Sequence, residues 1–268
     1  MPAAPADSAL YRDLFADLDS ARLFSDAAEL RAMLLVAGAL ARVQGDLGLI
    51  PLQAAGFIER SAREVQLDPS AMAAETAKLG DPVPAFLAAF RKAAEAPDLM
   101  HYLHWNAQNH DLHATAQALR LRRVMDLWQA RLEVLIAQGI KGLRAHQTAL
   151  SALRPAVEVV RLSGDNADLA AALAAALGLQ APSAEARGLA ALAAWMAGVC
   201  GCLADDLAGR APLLRALSRQ VTALSALITE PAQTASEARF AEWLALAQLA
   251  ISTGRALALA VEIAAPQP

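Results

Sequence analysis

From Leu112 to Leu150 the apolar residues keep returning to one helix face, through Leu119, Val124, Leu127, Leu132, Leu135 and Ile136. A periodic run of this length constrains the fold more than any other feature. Strands of compact domains seldom exceed about ten residues, so the run is read as one long helix. Gly139 and Gly142 are the points at which it can bend, and Arg154-Pro155 is where it stops. The rest of the chain agrees. Hydrophobic residues make up 56% and aromatics only 4%, and abundant alanine favours close-packed helices because it loses no rotamer freedom there. β-Branched residues never alternate over a strand length. The one weak strand candidate is Val157-Glu158-Val159-Val160-Arg161-Leu162-Ser163-Gly164. The expected class is all-α.

Other helices follow from caps and breakers. Residues 1–20 read as a loose arm with a short helix. Asp26, with Glu29 three residues on, forms a capping box for a helix through Leu30, Met33, Leu34, Ala37, Leu40, Ala41 and Val43, ended by Gly48 and Pro51. Further helices are expected over 51–64, from Asp68-Pro69, over 85–96, over 168–177 with Gly178 as its stop, over 184–207 and over 212–228. Thr234-Ala235-Ser236-Glu237 is a second capping box, opening a helix that runs to about Ile263. Residues 1–100 are expected as an N-terminal helical region and 101–268 as a long-helix bundle, the two as separate regions or one continuous domain. Helices this apolar need partners, so a homo-oligomer is expected.

The net charge of −4 and the lack of a basic stripe argue against nucleic acid. The uncharged run 188–204 is close to spanning length. It is mostly alanine and glycine, bounded by Arg187 and Asp205-Asp206, and reads as a buried helix rather than a membrane span. Cys200 and Cys202 suit neither a disulfide framework nor a four-ligand zinc site, so a reducing cytoplasm is expected. The first residues show no basic segment followed by an apolar one, so no secretion signal is expected.

The chemistry concentrates in Met100-His101-Tyr102-Leu103-His104-Trp105-Asn106-Ala107-Gln108-Asn109-His110-Asp111-Leu112-His113, which holds four of the five histidines. His110 and His113 are three apart and could face one another on a helix, but spacing supplies no third ligand, so no metal is expected. His110 and Asp111 are candidate acid–base groups, although neighbours on a helix do not face each other. Arg22, Arg120, Arg122 and Arg123 could meet an acidic ligand or form an ordinary salt-bridged face. Trp105, Trp128, Trp195 and Trp243 read as core or interface residues.

Two segments resemble the fumarase/aspartase superfamily, and within it the bacterial 3-carboxy-cis,cis-muconate cycloisomerases. The first runs from Phe24-Ser25-Asp26 through Leu30-Arg31-Ala32-Met33 and Ala39-Leu40-Ala41-Arg42-Val43-Gln44 to Leu47-Gly48-Leu49-Ile50-Pro51. The second is Tyr102-Leu103-His104-Trp105-Asn106-Ala107-Gln108-Asn109-His110-Asp111, where the family reads His-Trp-Gly-Ala-Thr-Ser-Gln-Asp before a long core helix. The resemblance implies a long-helix bundle like that family's central domain, no cofactor, and a homo-oligomer, tetrameric in the family, with a dimer as the alternative here. It implies a small polycarboxylate ligand met by His104, Trp105, Asn106, Gln108 and Asn109. The departures are as informative. Gln108 and Asn109 replace the Thr-Ser pair, and amides can still donate to a carboxylate. The family's second histidine region has no counterpart, because His146-Gln147-Thr148 reads as the middle of an uninterrupted helix. Its Gly-Ser-Ser loop should fall at Leu207-Ala208-Gly209-Arg210-Ala211-Pro212, which has no serine, lysine or asparagine. The expectation is a catalytically impaired homologue. The alternative is an active lactonising or lyase enzyme with a rearranged site around His104, His110 and Asp111.

Overall fold

The structure is a computed structural model, and it describes residues 8–182, 188–207, 212–229 and 235–265. These residues form α1 (Arg12–Phe15), α2 (Leu18–Leu23), α3 (Asp26–Asp46), α4 (Leu52–Glu64), α5 (Ala73–Leu79), α6 (Pro82–Ala94), α7 (Pro97–Met100), α8 (Asn109–Ala137), α9 (Leu143–Val157), α10 (Ala167–Leu177), α11 (Gly188–Asp206), α12 (Pro212–Thr229) and α13 (Ala235–Ala264). No strand occurs among the described residues, and the all-α class holds. The strand candidate at 157–164 reduces to a single bridge, in which Val160 N donates to Gln180 O and Gln180 N to Glu158 O.

The chain divides into two compact units, Ser25–Leu121 with Glu158–Ala186, and Met1–Phe24 with Arg122–Val157 and Arg187–Pro268. They are called here the patch unit and the bundle unit. Helix α8 begins in the first and ends in the second.

In the patch unit α3 and α4 form a tight hairpin. Gly38 makes the close approach possible, since a Cβ there would lie 2.9 Å from that of Ala62. Met33, Ile58, Phe86, Phe90, Met100, Leu103 and Leu112 fill the core, and burial of each such side chain is worth about 1.5–3 kcal/mol. The cap of α3 differs from the sequence reading. Ser25, not Asp26, is the N-cap, accepting from Ala28 N at 3.3 Å. Glu29 therefore lies one position past the reach of a capping box, and its carboxylate is committed elsewhere. Asp68 and Asp81 cap as their positions before proline suggest.

In the bundle unit α11, α12 and α13 pack together with α9, and α8 meets α11 through a pair of tryptophans. Trp128 stacks on Trp195 with ring centroids 5.4 Å apart, and Trp195 Nε1 donates to His146 O at 2.8 Å. The N-terminal arm is not loose beyond residue 8. Asp17 caps α2 through Ser20 and takes a two-pronged hydrogen bond from Arg131, at 2.7 and 2.9 Å. Arg131 also donates to Gly254 O at 2.9 Å. A side chain at 254 would collide with Asp17 and Ser20, so glycine is required there.

Three boundaries depart from expectation, the first being α6, which opens at Pro82 rather than at 85. The long helix predicted over 112–150 is broken, not bent. Gly139 and Gly142 both take positive φ, α8 stops at Ala137 and α9 starts at Leu143. Pro155 does not stop α9 at once, and the helix continues to Val157. The 234 end of the last capping box lies outside the described residues, as does 208–211 of the expected loop. Helices Gly188–Asp206 and Ser236–Ala264 are long and apolar enough to cross a membrane by length and composition, and about half of each lies buried within the fold.

Candidate ligand-binding site

The patch forms where the chain leaves α7 and turns into α8. Met100 and Leu103 are sunk into the core and anchor the turn. Two side chains then pin the backbone between them. Arg91 Nη2 donates to Leu103 O at 3.2 Å, and Gln44 Nε2 donates to Trp105 O at 2.7 Å. His104 lies between those carbonyls at φ +62°, and Asn106 follows at φ +49°. Asparagine tolerates the left-handed region, whereas for most L-residues it costs about 1–2 kcal/mol. Both His104 ring nitrogens are inaccessible to solvent, and neither has a hydrogen-bond partner among the described residues. A buried polar group left so costs about 1–3 kcal/mol. Burial pushes the His104 pKa down. The Asp111 charge opposes that shift, the Arg91 charge reinforces it, and Asn109 and Asp81 are near enough to contribute. The ring is therefore a neutral donor–acceptor at pH 7. An unpaired ring in a strained backbone is unfavourable for the free protein and suits a ligand-binding group.

The remaining predicted residues divide by role. Trp105 is 40% exposed and packs with His101 and Tyr102, their ring centroids 5.4 to 5.8 Å apart. Gln108 and Asn106 are exposed. Asn109 Nδ2 reaches Asp81 Oδ2 at 3.5 Å, a weak bond. Asp111 is buried in the first turn of α8. Its carboxylate accepts from Ser163 N at 2.8 Å, Ser163 Oγ at 2.9 Å and Gln108 N at 3.3 Å. It is a structural tie that holds the 158–163 segment against α8. His110, largely exposed, meets it at 3.1 Å between Nδ1 and Oδ1. The expectation that these neighbours cannot face each other is thus corrected. The four histidines do not converge. His101 joins the aromatic cluster and His113 pairs with Glu29, so the chelation reading for His110 and His113 fails. Among the described residues no group of three metal-ligating side chains is assembled.

Sequence reading missed the buried group beneath the patch. Glu29 Oε1 lies 3.0 Å from His113 Nε2, and Glu29 Oε2 accepts from Arg120 at 3.3 Å. Burial alone would raise the Glu29 carboxyl, but the His113 hydrogen bond and the Arg120 charge outweigh it and hold it below the usual range. Thr115 Oγ1 both donates to Arg161 O and accepts from Arg161 N, at 3.0 and 2.9 Å. One signal was available: Gln44 falls on the apolar stripe of α3, four residues after Leu40, yet is buried. His146 also changes reading. It sits in the first turn of α9 just after the break, and its ring is close to Gly198 of α11. Burial lowers its pKa.

No family model matches the chain. Curated relatives do. It is 35% identical over 147 residues to the nitrosuccinate lyase of Streptomyces davaonensis, covering 54% of this chain and 31% of that one. It is 33% identical over 149 residues to the 3-carboxy-cis,cis-muconate cycloisomerase of Acinetobacter baylyi, again 54% of this chain and 31% of that one. The matched stretch thus spans about a third of each relative's length. The solved β-carboxy-cis,cis-muconate cycloisomerase from Acinetobacter calcoaceticus superposes with a TM-score of 0.87 over 95% of this chain and 77% of that chain, at 20% identity. A fumarate lyase from Mesorhizobium superposes at 0.83, with 22% identity, over 93% of this chain and 75% of that one. The all-helical architecture and the sequence matches agree: the chain is a homologue of the fumarase/aspartase-superfamily lyases, 3-carboxy-cis,cis-muconate cycloisomerases among them, and it has their fold.

Proposed function

We propose that the patch around His104 binds a small polycarboxylate of the kind the cycloisomerase relatives act on, and that turnover in this chain is impaired. The observation that carries the reading is the half-buried His104 ring, whose nitrogens are shielded from solvent without a well-formed hydrogen bond among the described residues, held in a left-handed backbone beside Asn109. A ligand carboxylate would accept from its N–H and from the Gln108 and Asn109 amides, which stand where the family has hydroxyls. Superfamily chemistry moves a proton next to a carboxylate and needs a base and donors for the developing charge. Losing one such group costs about 10²–10⁴-fold. Asp111 does not supply that base, because three protein donors already occupy its carboxylate. The segment 207–212 carries no serine. Homo-oligomerisation and a cytoplasmic location belong to the same proposal, by resemblance to the family.

One observation favours a second reading, an active enzyme. His146 lies in the first turn of α9, just after the break between α8 and α9, and burial keeps it neutral and able to accept a proton. Ultraviolet absorbance of 3-carboxy-cis,cis-muconate incubated with purified protein separates the two. The proposal expects no loss of diene absorbance above the uncatalysed rate. Turnover that disappears in His146→Ala would establish the second reading. Turnover that survives there but disappears in His110→Ala would instead place a rearranged site in the patch.

A further inference from the structure

The pose of His104 is not set by its own contacts. Its ring nitrogens make no well-formed hydrogen bond among the described residues, the Asn109 side chain being the polar group nearest to one, and its backbone lies where an L-residue rarely rests. Such a conformation persists only where neighbours over-determine it. The neighbours here are two. Arg91, on α6, holds the carbonyl before His104, and Gln44, on α3, holds the carbonyl after it. Gln44 is 2% exposed, and its own Oε1 is unpartnered. A buried glutamine kept for a single bond to a loop carbonyl is costly unless that loop must be fixed. Arg91 lies nearer the surface, and its guanidinium is also part of the field at the ring.

We infer that Gln44 and Arg91 are positioning residues that clamp residues 103–105 and so preorganise the His104 ring to receive a carboxylate. This rests on the polycarboxylate reading above. Preorganisation moves the ordering cost from the binding step to folding, so it appears as affinity. Neither residue touches the ligand in this account. Their action is through the backbone of 103–105.

The test uses the full chain with ¹³C,¹⁵N-labelled histidine, the His104 signals being assigned by their absence from His104→Ala. Gln44→Met and Arg91→Met each remove one donor at similar length, and Arg91→Lys keeps a donor. The expected result is that both methionine variants move the His104 Cα and Cβ shifts away from left-handed values and weaken tricarballylate binding about 10-fold. Arg91→Lys restores both. Unchanged His104 shifts in the two methionine variants would overturn the inference, as would a loss in Arg91→Met that lysine does not rescue. If Gln44→Met fails to fold, the Arg91 pair decides alone, since that side chain is exposed. A wild type that does not bind tricarballylate would remove the ligand reading, while the shifts would still decide whether the clamp exists.

Discussion

Helix α8 is one continuous element with two unlike halves. From Asn109 to Leu121, in the patch unit, it buries Asp111, His113, Thr115, Gln117 and Arg120 among its apolar residues. Beyond Arg122, in the bundle unit, Val124, Met125, Trp128, Leu132 and Leu135 are wholly inaccessible, and Arg131 is a polar exception. The second half is chiefly a packing surface, although Trp128 Nε1 and Gln129 Oε1 are buried there without hydrogen-bond partners among the described residues. The first half is expensive by comparison, because every buried polar group must find a partner or forfeit stability. Asp111 finds its partner in Ser163, Thr115 in Arg161, and His113 and Arg120 in Glu29. A helix that serves only as scaffold has no use for this, and the polar half lies where the His104 turn meets it.

The comparison predicts where substitutions hurt. Trp128→Ala, in the packing half, should cost the most, about 3–5 kcal/mol, read as a lowered urea midpoint. Asp17→Ala removes the two-pronged partner of Arg131 and leaves it only Asp19 at 3.3 Å and Gly254 O, which should cost about 2–3 kcal/mol. Similar midpoints for Asp17→Ala and wild type would show that Asp19 and water suffice for Arg131. In the polar half, Asp111→Ala should cost about 2 kcal/mol through the unpaired Ser163 donors. It should also weaken ligand binding as the 158–163 segment detaches, which Trp128→Ala should not do in protein that remains folded. Asn106→Gly should change stability least, by at most about 1 kcal/mol and in the stabilising direction, since glycine takes φ +49° freely.

Acid sharpens the same contrast. His104 and His146 have ring pKa values pushed below the ordinary 6.5 by burial, so the unfolded chain takes up protons first as pH falls. Stability must then decline from about pH 6.5 downward. A second loss follows near pH 4.5 and below. Burial would raise the Glu29 and Asp17 carboxyls, but their hydrogen bonds and cationic partners hold both under their unfolded values, and that stabilisation vanishes on protonation. Denaturation midpoints measured from pH 7 to 4 should show two declines, and His104→Ala should diminish the first. A midpoint flat between pH 7 and 5 would contradict the burial of these rings.

The packing half of the molecule was legible in the sequence because its information is local. Apolar spacing gave α8, while Gly178 and Asp68 marked ends that the structure keeps. Where local signals compete, the reading slipped. Ser25 and Asp26 are both good caps, and the structure uses the serine. Gly139 and Gly142 flank a break that residual apolar periodicity hid. The patch itself was visible through its histidines, but its support was not. Glu29 finds His113 eighty-four residues later, and Asp111 finds Ser163 fifty-two residues later. A carboxylate in a first helical turn looks like a cap until its distant partner is known.

The most direct test of the central claim, that the polar half of α8 and the turn before it form a carboxylate site without efficient chemistry, is titration calorimetry of the intact chain. The ligand is 3-carboxy-cis,cis-muconate, with diene absorbance followed in the same samples. The account predicts saturable heat in the wild type, absorbance that stays at the uncatalysed rate, and loss of the heat in His104→Ala. No saturable heat in the wild type, or heat that His104→Ala leaves unchanged, would contradict it.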